Sequence, residues 1–267
     1  MTKILLPLIL FFLAQLLAGA VALLCANGAQ LFSPGAAGGL QLLPSAVAQG
    51  RALLVADISV VLVLWYFRLM RRRPYPIRTA YFRLGQWWSW VATCCLALGL
   101  SFLLAPLDVP DGGSDALFRA MQSDPLCLLA LALAGPAVEE CVFREGILRQ
   151  LQLRGLAPWL SVGVSALLFA VIHGNWAQGV TAFVFGVLFG LLYLHSADLR
   201  VPLVAHIINN VLGILLLRLS AVSDALAGLP AAASLATGAA LCLLAGVAWR
   251  RWMAVVPAAG SIENTPA

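Results

Sequence analysis

The sequence predicts an all-α, polytopic membrane bundle of about eight transmembrane helices, with the N- and C-termini both cytoplasmic. Three observations predict it. Of the 267 residues, 62% are hydrophobic and only 10% charged, where a soluble domain carries about 25% charged residues. Eight apolar runs approach the ~20 residues that a bilayer crossing needs. When those runs are threaded, the basic residues collect on one side.

The runs are, in order, 4–25, 51–69, 87–106, 125–147, 157–174, 176–195, 201–218 and 229–249. The first follows a single lysine, Lys3, and is longer than a signal-peptide core of about 7–15 residues. Leu24 stands before Cys25, where lipoprotein processing wants a small residue, so this segment is expected to remain as the first span. Residues 26–50 form a Gly/Pro/Ala/Gln-rich connection, and residues 70–86 a basic linker. Residues 107–124 are polar and carry Asp108, Asp111, Asp115 and Asp124. The tail from Val256 is expected to be short and disordered. With the N-terminus inside, the cytoplasmic face collects Lys3, Arg68, Arg71, Arg72, Arg73, Arg78, Arg83, Arg144, Arg149, Arg154, Arg200, Arg250 and Arg251. The outer face keeps Arg51, Arg119 and Arg218. The bias survives the removal of Arg144, so the net charge of +5 reads as membrane orientation and not as a nucleic-acid footprint. No internal repeat is evident. Three units follow: helices 1–3 with their loops over 1–124, a four-helix core over 125–218, and a last span with its tail over 219–267.

The six cysteines, Cys25, Cys94, Cys95, Cys127, Cys141 and Cys242, all lie in apolar stretches without a CxxC pair. They are expected to be buried, inert thiols, with no disulfide framework or zinc knuckle. Gly186 and Gly190 form a GxxxG one turn after Ala182, a pattern that lets two helix backbones approach closely.

Three polar motifs interrupt the second half of the chain. They are Glu139-Glu140 with Arg144, Phe169 with His173, and His206 with Asn209 and Asn210. A charge at the bilayer centre costs roughly 2.5–3.5 kcal/mol on insertion scales, so each motif is a functional candidate by default. Pro136 after Gly135 suits a helix start or a kink. Glu140 and Arg144 are four apart, share a helix face and can pair. Glu139 points about 100° away and has no such cation on its own face. Glu140 is therefore expected to be held ionised, and Glu139 to face a cavity and stay available for proton transfer. The alternative is one structural network of both carboxylates and Arg144. His173 alone could be an interfacial or satisfied core histidine. His206 recurs with Asn210 at i, i+4, so both face one direction. His195, beside Ser196 and Asp198, is expected at the membrane interface. Histidines and carboxylates also suit zinc, but there is no HExxH and the ligands would come from three separate helices. Cys141 needs no role as a nucleophile.

At these residues the sequence resembles the CPBP family, the CAAX prenyl proteases and bacteriocin-processing proteins also called Abi proteins. The family signature is EExxxR, then FxxxH, then HxxxN or HxxxD. All three occur in order, as Glu139-Glu140 with Arg144, Phe169 with His173, and His206 with Asn210, over roughly residues 125–215. The resemblance implies a glutamic-type intramembrane endopeptidase of the cell (inner) membrane, multi-pass and without a cofactor or a required metal. It implies that Glu139 and His173 activate a water and that His206 with Asn210 stabilises the oxyanion. Glu140 belongs to the same catalytic motif, and Arg144 and Phe169 support the site. The partners implied are the lipid bilayer and a membrane-anchored, prenylated or precursor peptide or protein substrate. Nothing in the sequence chooses among those substrates. Two readings of other classes compete: a non-catalytic immunity or scaffold protein, and a transporter relaying protons through Glu139 and His173. A transporter should often show internal symmetry or paired broken helices, and neither is evident.

Straight spans place Glu139 and His206 nearer the cytoplasmic face and His173 nearer the outer face. A shared site therefore requires the fifth span to begin deep in the membrane, or the fourth to break at Gly135-Pro136.

Overall fold

Nine helices account for nearly all regular structure among the residues that the computed structural model describes, which are 2–32, 43–70, 85–107, 109–219, 228–256 and 258. They are α1 (Thr2–Phe32), α2 (Ala46–Tyr66), α3 (Trp87–Leu104, extended by a 3-10 turn over Ala105–Leu107), the short α4 (Ser114–Met121), α5 (Pro125–Gln152), α6 (Pro158–Val171), α7 (Trp176–Ser196), α8 (Arg200–Arg218) and α9 (Ala231–Val255). Seven of them, all but α4 and α6, are long and apolar enough to cross a membrane. The chain is a polytopic helical membrane protein. Arg71, Arg72, Arg73, Arg78 and Arg83 of the basic linker lie outside the described residues, as do Asp108, most of the tail and residues 33–42 of the first connection.

The fifth predicted span is the exception. α6 has only 14 residues, or about 21 Å of helix at 1.5 Å per residue against a ~30 Å hydrocarbon core. Its shortness resolves the depth problem. His173 lies fifteen positions beyond Pro158, about 22 Å along the helix direction. Glu139 lies thirteen positions before Gln152, about 20 Å from the same end of the bundle. The two residues therefore reach similar depths from the shared loop at 153–157. The fourth span is not broken. Instead, α5 runs for 28 residues with two wide π turns, Ala130–Ala134 and Cys141–Leu148, on either side of Gly135–Glu140. Pro136 explains the first: it has no N–H to donate and its ring crowds the preceding turn, which widens in response. Wide turns free carbonyls. Leu131 O accepts from Asn210 Nδ2 (2.9 Å) and Phe143 O accepts from Ser165 Oγ (2.9 Å), so α8 and α6 each fasten to α5 at a π turn.

Local chemistry sets the helix ends. Asp124 caps α5 by accepting from the Leu126 and Cys127 N–H groups, with Pro125 as the first helical residue. The Arg51 guanidinium lies 2.5 Å from Asp124 and holds its carboxyl down to about 2. Asn175 caps α7 through the Gln178 N–H. The residue between His173 and Asn175 is Gly174, at φ +73°, a left-handed conformation that glycine adopts without a Cβ penalty. That turn lets α7 return after so short an α6.

The core lies around α5, where Val138, Val142, Phe143, Ile147 and Leu148 are buried. α7 packs on α6 through the GxxxG pair. A Cβ on Gly186 would come within 2.9 Å of Ala166 Cα, and one on Gly190 within 3.1 Å of Val162 Cγ1. A second close crossing joins α3 to α9. There a Cβ on Gly99 would meet Cys242 Sγ at 2.7 Å, and one on Gly238 would meet Gly99 O at 2.8 Å. Outward faces are apolar, as Leu13, Leu16, Leu17 and Leu24 of α1 show. All six cysteines carry free thiols, but only Cys127 and Cys141 are buried as expected; Cys94, Cys95 and Cys242 are half-buried and Cys25 is exposed on an outward apolar face.

Candidate active site

Glu139 and Glu140 are consecutive on α5 and take different surroundings. Glu140 is fully buried; Glu139 keeps 19% of its side chain exposed, toward a cavity of about 1100 Å³. Glu140 Oε1 accepts from His206 Nδ1 at 2.9 Å. Its other oxygen lies 3.0 Å from Arg144 Nε, an ion pair whose alignment is too poor for a hydrogen bond. Arg144 Nη2 donates to Gly186 O at 3.4 Å, and the guanidinium lies 5.1 Å from the Phe169 ring centre and 5.6 Å from that of Phe189. Neither Glu140 nor Arg144 lines the cavity. The helical offset read from the sequence thus becomes a difference in access: one carboxylate opens on the cavity and the other is closed in by protein.

His206 sits between the two carboxylates. Nδ1 is committed to Glu140, and Nε2 lies 3.4 Å from Glu139 Oε2. The ring stacks on Phe189 at 4.8 Å and meets the edge of Phe169 at 5.7 Å. Phe169 also contacts His173, ring to ring at 4.9 Å. One phenyl group therefore spaces both histidines. His173 Nδ1 lies 2.8 Å from Phe169 O. A carbonyl only accepts, so Nδ1 carries the proton and Nε2 of the neutral ring keeps its lone pair. Asn210 spends one amide proton on Leu131 O, and its Oδ1 accepts from Asn209 Nδ2 at 3.3 Å. Its second amide proton is left for another acceptor. Glu139, Phe169, His173, His206 and Asn210 all line the one cavity. The three motifs thus converge from α5, the end of α6, and α8.

His195 is elsewhere. Its Nε2 donates to Val256 O at 2.7 Å and its ring lies 4.7 Å from Trp252, so it ties α7 to the end of α9. Among the described residues, no group of three His, Cys, Asp or Glu side chains is placed to hold a metal ion.

Two acids escaped the sequence reading. Asp57, on α2, is 4% exposed and lines the same cavity. A lone acid in an apolar span is itself a signal, and it could have been flagged. Glu145 is 1% exposed, accepts from Tyr193 Oη at 2.9 Å and lies 4.0 Å from Arg149, four residues on. It repeats the Glu140–Arg144 spacing one turn later and braces α5 against α7.

Residues 121–212 match the family described as type II CAAX prenyl endopeptidase Rce1-like. Over 91 residues the chain is 32% identical to the membrane-embedded CAAX protease MroQ of Staphylococcus aureus (strain USA300), covering 32% of this chain and 37% of that protein. Over 97 residues it is 25% identical to YdiL of Bacillus subtilis (strain 168), whose name assigns it provisionally to the membrane peptidases, covering 36% of this chain and 39% of that protein. The matched part thus spans less than half the length of either relative. No solved structure matches.

Proposed function

We propose, from the premise that residues 121–212 are a segment of the CPBP family's Rce1-like kind, that the chain hydrolyses a peptide bond of a membrane-associated or lipidated peptide or protein. The observation that carries the proposal is the convergence of Glu139, His173, His206 and Asn210 on one cavity. Glu139 is the carboxylate that opens on the cavity; it takes the proton as a water attacks the carbonyl carbon, and returns it to the leaving amine as the C–N bond breaks. His173, oriented through Phe169 O, presents Nε2 as a second proton acceptor beside it. Charge then develops on the carbonyl oxygen. Donors preorganised in a dry site stabilise such charge far better than water does. The Asn210 amide and His206 Nε2 are those donors. Because His206 Nδ1 is already committed to Glu140, Nε2 donates only when both ring nitrogens carry protons. Glu140 and Arg144 act through His206, as positioning residues.

A scaffold reading asks only for satisfied, closed polar contacts, and Glu139 facing a cavity of about 1100 Å³ is not such a contact. Water activation by Glu139 and His173 predicts that cleavage of a hydrophobic peptide mixture in detergent survives thorough chelation. Mass spectrometry of the new termini provides the measurement. Activity lost on chelation and restored by zinc would make the histidines ligands and overturn the mechanism.

A further inference from the structure

The cavity has an unusual charge. Asp57, Asp111, Asp115 and Glu139 line it, and among the described residues no lysine or arginine does. Asp111 is already occupied, accepting from the Gly113 and Asp115 N–H groups at the start of α4. Asp115 is exposed at the end of the cavity formed by α4. Asp57 is different. It is 4% exposed, faces the cavity, and makes no hydrogen bond or ion pair among the described residues. An enclosed acid with no partner either keeps its proton or, if ionised, needs water or a cation to meet it. Its place is fixed by Gly135: a Cβ there would lie 3.9 Å from Asp57 Oδ2. Gly135 precedes Glu139 by four residues on α5, so the two points share a face about 6 Å apart along the axis.

We propose that Asp57 is a substrate subsite that receives a lysine or arginine side chain of the peptide, within about two residues of the bond that is cut. The reach is set from the backbone: Gly135, beside Asp57, and Glu139 are one helical turn apart on α5, and an extended peptide advances about 3.3 Å per residue. The substrate class that fits is an apolar peptide segment with a single basic residue beside the scissile bond. The position relative to the cut rests on the peptidase reading; the cation preference does not.

The test is direct binding without turnover. The full chain carrying Glu139→Gln is purified in detergent and titrated with the peptide Ac-Leu-Ala-Leu-Lys-Leu-Ala-Leu-amide and with its norleucine counterpart, after correction for micelle partition. The lysine peptide is expected to bind at least about ten-fold more tightly, the scale of a hydrogen bond to a charged group. Adding Asp57→Asn should bring the ratio close to one, and Asp57→Glu in its place should restore it. The ratio is internal to each variant, so a change in overall folding does not mimic the result. Equal binding of the two peptides with Asp57 present, a lysine preference that survives Asp57→Asn, or no binding of either peptide would overturn the subsite. The chain with native Glu139 separates the two readings. Cleavage of both peptides at equal rates sinks the subsite and leaves the peptidase standing. An intact binding preference without Glu139-dependent cleavage supports the subsite and counts against the peptidase.

Discussion

Glu139→Gln is expected to lower turnover by about 10²-fold or more, the usual worth of a general base, with the protein still folding and recovered in normal amounts. Glutamine keeps the volume and the hydrogen-bonding capacity of the side chain but cannot accept the proton from water. The folding half of the prediction comes from the surroundings: Glu139 contacts His206 only at 3.4 Å and is partly open to the cavity, so its charge is not what holds α5 to α8. That work falls to Glu140, Asn210 and the aromatic rings. A fully active Glu139→Gln protein would move the base to Glu140, although Glu140 is closed off from the cavity and already engaged on both oxygens.

Arg144→Ala should act on stability first. The side chain is wholly buried, pairs with Glu140, reaches the Gly186 carbonyl and lies against Phe169 and Phe189. Its removal leaves the Glu140 carboxylate with His206 alone and opens a void between α5 and α7. Breaking a buried pair on one side costs about 3–5 kcal/mol. The measurement is thermal unfolding of the purified protein, with yield as a second readout. Removing both partners, as Glu140→Gln with Arg144→Met, should recover most of the stability, because no uncompensated charge remains. Activity should stay low in that double variant, since the glutamine no longer fixes His206 through a carboxylate. A stable but slow Arg144→Ala protein would instead assign Arg144 to the substrate or the transition state.

Much of this was legible in the residues. The offset of about 100° between adjacent positions on a helix separated Glu139 from Glu140, and the i, i+4 spacing paired Glu140 with Arg144. The GxxxG spacing anticipated a close helix crossing on α7, though not that its partner is α6. The lost information was of two kinds. Hydropathy counts apolar residues and does not see where a helix stops, so α6 read as a full span although Gly174 and the Asn175 cap end it early. Likewise, Pro136 signalled a disturbance in α5 but not its form: a π turn and a kink share the same residue cause, and only the carbonyl partners Asn210 and Ser165 distinguish them. Asp57 belongs to no motif: a single acid in the second span has no spacing partner in the sequence. The α3–α9 crossing through Gly99 and Gly238 joins elements far apart in sequence, with no spacing rule to connect them.

Hydrolysis by water activated in this cavity would leave an isotopic mark on its products. The most direct measurement is on the full chain in vesicles of phosphatidylethanolamine and phosphatidylglycerol, given a mixture of apolar membrane peptides in water enriched in oxygen-18. The expected result is new termini in matched pairs, one heavy oxygen in each new carboxyl group, and their disappearance with Glu139→Gln. Peptides that stay intact with the native chain, or termini that form equally with Glu139→Gln, would contradict it.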